Sequence, residues 1–179
     1  MKSYTSIRGG LLIAAALLAL TAPLASSQPL LLTQTCPATV HAGKTLTCTL
    51  TLTGTPAPAP ASLQWTLNMP VGISPLITAT VTGTAAAISA VVACNVLTTS
   101  TDVCVLYSLS INTLVNGPVT TIYYHFPKNW PPGKVWLDAN AVLAASVTGD
   151  AVPIAGGPGV SVKVTQSLLG TVKAWFRRF

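Results

Sequence analysis

The alternation of threonine with apolar residues between Thr45 and Thr53 limits the fold of this chain more than any other feature. The segment reads TLTCTLTLT. Successive side chains of a β-strand point to opposite faces of a sheet, so Cys48 and the three leucines share one face and the threonines the other. A long strand with one apolar and one β-branched face is typical of an antiparallel sheet that covers a core on one side.

Short apolar segments separated by turn residues recur along the rest of the chain, which is the pattern of an all-β sandwich. Trp65 falls on the apolar side of one of these segments and is predicted to pack in the core. We count about nine strands and no internal repeat. The predicted strands are Leu30–Thr35, Thr45–Thr53, Leu63–Met69, Ile77–Thr82, Ala85–Cys94, Val103–Ser110, Val119–Phe126, Val142–Val147 and Val160–Thr165.

The amino-terminal segment has the three parts of a secretory signal peptide. Lys2 and Arg8 are basic, Leu11–Leu20 is apolar, and small residues precede a cleavage site near Ser27. The apolar run is shorter than the roughly 20 residues that a membrane-spanning helix needs. Cleavage of residues 1–27 and a secreted or cell-envelope location, extracellular or periplasmic, are predicted. A retained amino-terminal anchor is the alternative.

Charge is scarce and is concentrated at the carboxyl end. Only 7% of the residues are charged, with nine Lys and Arg against three Asp and Glu. Lys173, Arg177 and Arg178 lie in the last seven residues, so the body of the chain is nearly neutral. Nucleic-acid binding needs a clustered basic face. A nucleic-acid partner is therefore not expected.

All four cysteines follow the predicted signal peptide. An even number of cysteines in an oxidising compartment predicts two disulfides. Three pairings are open in principle, and we favour Cys36–Cys48 and Cys94–Cys104 because each pair flanks a predicted turn between neighbouring strands. The cysteines lack the closely spaced pairs of structural zinc sites, so no metal is predicted.

The residue types that carry catalysis are few. Asp102, Asp138 and Asp150 are the only acidic residues, and all three are interpreted as turn formers or solvated loop residues. Glycoside hydrolysis needs two facing carboxyl groups, and nucleophilic catalysis needs a base beside a serine or cysteine. The chain has only two histidines and no Gly-x-Ser-x-Gly motif, so this arrangement is not expected. We predict a protein without catalytic residues or cofactors.

Two segments are candidates for binding. The strand Val119–Phe126 places Thr121, Tyr123 and His125 on one face, where they would offer a polar aromatic surface to a protein or sugar. Ordinary cross-strand packing of Tyr123 is the alternative. Trp130 lies in a proline-containing loop, where it would either stack on a sugar or fold over the end of the core.

The carboxyl-terminal tail, residues 166–179, has a different pattern. Its apolar residues recur at helical spacing, with Lys173 and Arg177 on the opposite side. A short basic amphipathic helix is predicted, which would bind a membrane surface or a partner, or else pack on its own sandwich. The residues assigned to this contact are Trp175, Phe176, Arg177, Arg178 and Phe179.

Three segments of the chain resemble cohesin domains. Val40–Pro56, VHAGKTLTCTLTLTGTP, is similar to the family's opening turn and long strand, and Leu63–Thr82 resembles the aromatic strand and the turn that follow. Ala141–Val164 resembles the closing hairpin. The resemblance implies a nine-stranded antiparallel jelly-roll sandwich, related in fold to carbohydrate-binding modules. It also implies a non-catalytic receptor for a dockerin-type partner, in complexes that degrade polysaccharides or assemble at cell surfaces.

These inferences divide the chain into a signal peptide (1–27), a cohesin-like β-sandwich (28–165) and a basic tail (166–179). The leading functional hypothesis is an exported, non-catalytic module that mediates protein–protein assembly at or outside the cell envelope. A carbohydrate-binding module that uses Trp130 is one alternative. A structural envelope subunit, such as a pilus-like protein, is another, and the low charge and high apolar fraction favour it. Fold analogy alone does not decide among them.

Overall fold

Two β-sheets pack face to face in the part of the chain that the structure, a computed structural model, describes: residues 29–54, 58–73 and 77–166. The predicted signal peptide and nearly all of the tail lie outside these ranges. The strands are β1 (Leu30–Thr35), β2 (Thr39–His41), β3 (Thr45–Thr53), β4 (Ser62–Asn68), β5 (Ile77–Val81), β6 (Val91–Thr98), β7 (Thr101–Tyr107), β8 (Gly117–His125), β9 (Gly133–Ala145), β10 (Ile154–Gly156) and β11 (Val160–Thr165), with one short helix, α1 (Gly83–Ala87).

The sheets have the orders β10-β1-β3-β8-β5 and β2-β11-β9-β4-β7-β6. Their strands pair antiparallel, apart from the parallel pairs β1–β10 and β2–β11. The all-β sandwich prediction is confirmed. Two of the eleven strand segments, β2 and β10, are only three residues long, which is too short for side-chain alternation to reveal them. In the described ranges, no helix has the length and apolar character needed to cross a membrane.

The strand predictions hold where alternation is unbroken, at β1, β3 and β11. The segment Ala85–Cys94 is not one strand, because its first three alanines, which favour helix, lie in α1 and β6 begins at Val91. Gly83 has φ +51°, and a Cβ there would lie 2.5 Å from the carbonyl oxygen of Pro118. The first residue of α1 must therefore be glycine.

Strand β9 is much longer than the predicted segment Val142–Val147. A bulge opposite the Gln64–Thr66 stretch of β4 shifts its register, and Ala141 there has φ +47°. The extra residue changes which positions face the core, so no single alternation runs through the strand. Sequence periodicity therefore identified only part of its second half.

The core lies between the sheets and contains the apolar side of β3 as predicted. The three leucines and Cys48 of that strand are buried, and Trp65 of β4 is 0% exposed. Tyr124 of β8 is also buried, and its hydroxyl accepts a hydrogen bond of 3.0 Å from Gln34 Nε2. Burial raises the pKa of Tyr124 well above the ordinary value of the phenol. The stability that this neutral phenol contributes is complete below the ordinary tyrosine pKa and is lost at more alkaline pH.

Asp102 is neither a turn former nor a solvated loop residue, so that interpretation is wrong. It is the second residue of β7 and only 2% exposed. Strand β7 starts two residues before the predicted strand, and Asp102 therefore shares its inward side with Cys104 and Leu106. The alternation of β7 thus assigns Asp102 to the core side.

Both favoured disulfides are present. Cys36–Cys48 connects the end of β1 to the middle of β3, and Cys94–Cys104 joins directly opposed residues of β6 and β7. The described residues contain no free cysteine. Each disulfide therefore connects neighbouring strands within one sheet.

Candidate binding surface

Thr121, Tyr123 and His125 lie on the outer face of the five-stranded sheet, along its strand β8. The structure places all three on one face, as the strand pattern predicted, and each is half-buried. Tyr123 lies opposite Thr47, and the ring nitrogen Nδ1 of His125 lies 2.7 Å from Thr45 Oγ1. This surface is polar and covered by threonines. Its role in binding stays a prediction.

Trp130 is not part of that face. It lies in the loop between β8 and β9 at one end of the sandwich, where its ring meets Phe126 edge to face at a centroid distance of 5.6 Å. The carbonyl oxygen of Trp130 accepts a hydrogen bond of 2.8 Å from Gln166 Nε2. Its half-buried ring packs on the edge of the core. The ring also contributes to a surface cleft.

This cleft, which we call the tryptophan cleft, has a volume of about 560 Å³ and lies between Trp130 and Trp136. Trp136 is 56% exposed. A Cβ on Gly159 would lie only 2.6 Å from the Trp136 ring, so this glycine leaves room for the ring to lie over the backbone. The remaining residues that line the cleft are Asn68, Met69, Pro70, Pro131, Pro132, Gly133, Lys134 and Val135.

A chain of hydrogen bonds follows Trp136 across the outer face of the six-stranded sheet. Thr101 Oγ1 donates to Asn68 Oδ1 at 3.4 Å, and Asn68 Nδ2 donates to Asn140 Oδ1 at 3.1 Å. Asn140 Nδ2 donates in turn to Asp138 Oδ2 at 2.6 Å. Side chains held in this way keep a fixed orientation. We call these four residues the polar ladder.

Asp138 therefore lies in strand β9, and its interpretation as a loop residue is wrong. Asp150 does lie in a turn, as predicted, where its carboxylate accepts a hydrogen bond from Thr148. In the described ranges, no three side chains of histidine, cysteine or acidic residues form a group that could hold a metal ion.

Apolar side chains continue the same face beyond the polar ladder. Leu143 of β9 is 62% exposed and borders a shallow concavity of about 200 Å³ with Gln64 and Val105. Tyr107, at the end of β7, is also exposed. We call the outward side of β9, β4 and β7, from Trp136 to Leu143 and Tyr107, the six-stranded face.

The two sheets differ sharply in exposed apolar surface. Among the described side chains, no large exposed apolar residue belongs to a strand of the five-stranded sheet. Strands β6, β7 and β9 of the other sheet carry six of them: Val91, Val96, Leu97, Tyr107, Trp136 and Leu143. Three of the six, Tyr107, Trp136 and Leu143, lie on the six-stranded face, and large exposed apolar side chains are a feature of interaction sites. The six-stranded face is therefore the stronger candidate surface.

The arrangement of the two sheets matches a group of solved structures over nearly their whole length. The fold is that of a cohesin module. The cohesin module of a family 33 glycoside hydrolase from Clostridium perfringens aligns with a TM-score of 0.64 and 12% identity, over 79% of this chain and all of that one. A non-cellulosomal cohesin from the archaeon Archaeoglobus fulgidus gives a TM-score of 0.55 and 9% identity, over 81% of this chain and 97% of its own.

A third similar structure is a type I cohesin–dockerin complex from Clostridium thermocellum, with a TM-score of 0.59 and 13% identity over 78% of this chain and 99% of that one. Neither a protein-family model nor a curated protein matches the sequence. The likeness is therefore one of fold, and it confirms the cohesin-like sandwich that the sequence resemblance implied.

Proposed function

We propose that this protein is an exported, non-catalytic module that assembles protein partners at or outside the cell envelope through its six-stranded face. The observation that carries the proposal is the exposure of Trp136 and Leu143 on the outward side of strand β9. The cohesin-like fold supports a receptor role, because some of the similar structures are complexes of cohesins with dockerins. A dockerin-like protein is the partner that we propose.

The composition of the six-stranded face is suited to a protein interface. Such interfaces bury a few aromatic and apolar anchors inside a polar rim, and Trp and Tyr carry much of their binding energy. Trp136, Tyr107 and Leu143 are the anchors here. The polar ladder lies between Trp136 and Leu143 along β9 and offers amide and carboxylate groups to the partner's backbone. The face thus provides both affinity and orientation.

Binding of the secreted protein to envelope extract and to a panel of dockerin modules tests the proposal. We expect Trp136→Ala to weaken the captured complex about thirtyfold or more, as loss of an interface anchor does. Tyr123→Ala is the matched control, because it truncates an aromatic residue on the other sheet and is expected to change affinity by less than about threefold. Capture that is equally strong for wild type and Trp136→Ala but lost in Tyr123→Ala would move the interface to the five-stranded sheet. The absence of any specific protein would contradict an assembly role.

A second candidate function, carbohydrate binding, is favoured by the tryptophan cleft alone. Trp130 and Trp136 border it, and the polar ladder adjoins Trp136, so aromatic surface and hydrogen-bonding groups lie together as sugars require. A glycan array probed with wild type, Trp130→Ala and Trp136→Ala separates the two functions. Glycan binding that both substitutions abolish would support the carbohydrate-binding function. An array without any signal would contradict that function and keep the protein partner as the proposal.

We infer export from residues 1–27 and from the two disulfides, which persist in oxidising compartments. The secreted protein is expected to begin at Gln28 and to contain no free thiol, which intact mass spectrometry under non-reducing conditions measures. A retained first segment or four free thiols would contradict this inference. The role of residues 166–179 in attaching the module to a membrane or partner stays a prediction, because residues 167–179 lie outside the described ranges.

A further inference from the structure

Strand β6 forms an unusually exposed edge of the six-stranded sheet. Seven of its eight side chains are exposed, on both faces of the strand, and Leu97 is 66% exposed. Strand β5 of the opposite sheet approaches β6, and these side chains of β6 are nevertheless exposed. Exposed edges are normally protected by charges, proline or short length. Strand β6 has no charged residue or proline and is eight residues long, so a bulge between Val96 and Thr98, near its end, is its one protection of this kind among the described residues.

The backbone groups that β6 leaves free follow from its pairing with β7. The Cα atoms of Cys94 and Cys104 are 4.0 Å apart, the short spacing of a non-hydrogen-bonded antiparallel pair. The N–H and C=O groups of Cys94 therefore point away from β7, and the same holds for Val92 on the same side of the strand. Val96 is the last residue of this series before the bulge, and its N–H and C=O groups also point away from β7. In the described ranges no strand pairs with this outer edge.

Residues at equal distances on either side of Cys94 in β6 are mostly similar in type. Two copies aligned antiparallel on Cys94 would place Val92 opposite Val96, Ala93 opposite Asn95, and Val91 opposite Leu97. Each apolar residue at the ends of the strand thus meets another apolar residue. The edge complements itself, which a two-fold symmetric contact requires.

Charge does not oppose a second copy at this edge. The chain is net positive, so two copies repel wherever lysines face each other. In the described residues, the lysines of the six-stranded sheet are Lys134 on β9 and Lys163 on β11, and β4 and β7 separate β9 from β6. Strand β6 itself has no charged residue. Self-pairing along β6 therefore brings no like charges opposite each other.

We propose that two copies of this protein pair antiparallel along β6 about a two-fold axis at Cys94. The free groups of Val92, Cys94 and Val96 then form about six backbone hydrogen bonds with those of the second copy. The two six-stranded sheets become one continuous sheet of twelve strands. Because the contact uses an edge, the two six-stranded faces stay open. The dimer presents them side by side.

Sedimentation of the secreted, disulfide-intact protein over a wide concentration range tests this pairing. Wild type is expected to convert from monomer to dimer. The double variant Ala93→Lys/Asn95→Lys places lysines directly opposite each other in the proposed register, and like charges so placed are unfavourable. We expect its dimer Kd to rise about tenfold or more. Both positions are exposed, so circular dichroism should show an unchanged fold.

The matched control is Ala93→Lys/Asn95→Glu, which places opposite charges across the same two positions and is expected to dimerise at least as well as wild type. A wild-type protein that stays monomeric at every concentration would overturn the proposal. So would two double variants with the same dimer Kd, because the contact would then lie elsewhere or in another register. Restored pairing in the second variant alone is the result that identifies β6 and its register.

Discussion

Replacing Trp65 with alanine is expected to lower the free energy of unfolding by about 3–5 kcal/mol, the usual cost of deleting a buried tryptophan. Trp65 is 0% exposed and lies in β4, with β7 and β9 on either side. Its neighbours belong to paired strands and collapse only partly around the cavity, so lost burial and lost packing add. Domains of this size have only about 5–15 kcal/mol of stability, and urea unfolding followed by circular dichroism measures the change.

Trp136→Ala is the matched control, because the same truncation at a 56% exposed position is expected to cost less than about 1 kcal/mol. Trp65→Phe adds a second comparison. Among the described residues, Trp65 Nε1 has no hydrogen-bond partner, so phenylalanine removes an unsatisfied donor while keeping an aromatic ring. We expect it to cost clearly less than alanine. Equal losses for Trp65→Ala and Trp136→Ala would mean that Trp65 is not in the core.

The parts of the fold that were predicted correctly are those in which side-chain alternation runs without interruption. Strand β3 has the predicted ends because every second residue is apolar from Leu46 to Leu52 and all of these are buried. Strand β9 was predicted only in part, because the bulge at Ala141 changes the side that faces the core halfway along. A bulge depends on the pairing with a partner strand, here β4, and the periodicity of one segment does not show which strands pair.

The candidate surface was harder to predict than the fold. The pattern of β8 correctly placed Thr121, Tyr123 and His125 on one face. Trp136 was overlooked, although Val135, Leu137 and Ala139 alternate with the outward side chains. In the sequence, the outward positions of both sheets include polar residues. Only the assembled sandwich shows that one outward face is covered by threonines and that the other has exposed apolar anchors. That comparison requires the order of the strands.

Removing both disulfides is the second change with a large expected effect. Cys36–Cys48 and Cys94–Cys104 span 12 and 10 residues, and loops of this size contribute on the order of 3 kcal/mol each by restricting the unfolded chain. We expect each pairwise alanine variant to lose about 3 kcal/mol and the fourfold variant about 6 kcal/mol. The pairs tether separate sheets and share no residue, so their losses should add. Urea unfolding of the variants measures these losses.

The two disulfides should also differ in how readily they are reduced. In the monomer Cys94 is exposed on the edge of β6 although Cys104 is buried, whereas Cys48 is buried and Cys36 packs against the core. Attack by an external thiolate needs access to a sulfur, so a mild reductant is expected to open Cys94–Cys104 first. Alkylation of free thiols at increasing reductant concentration, followed by peptide mass spectrometry, gives the order. Earlier opening of Cys36–Cys48 would show that exposure of the sulfur does not control reduction, and that the five-stranded sheet opens more easily than the β6 edge.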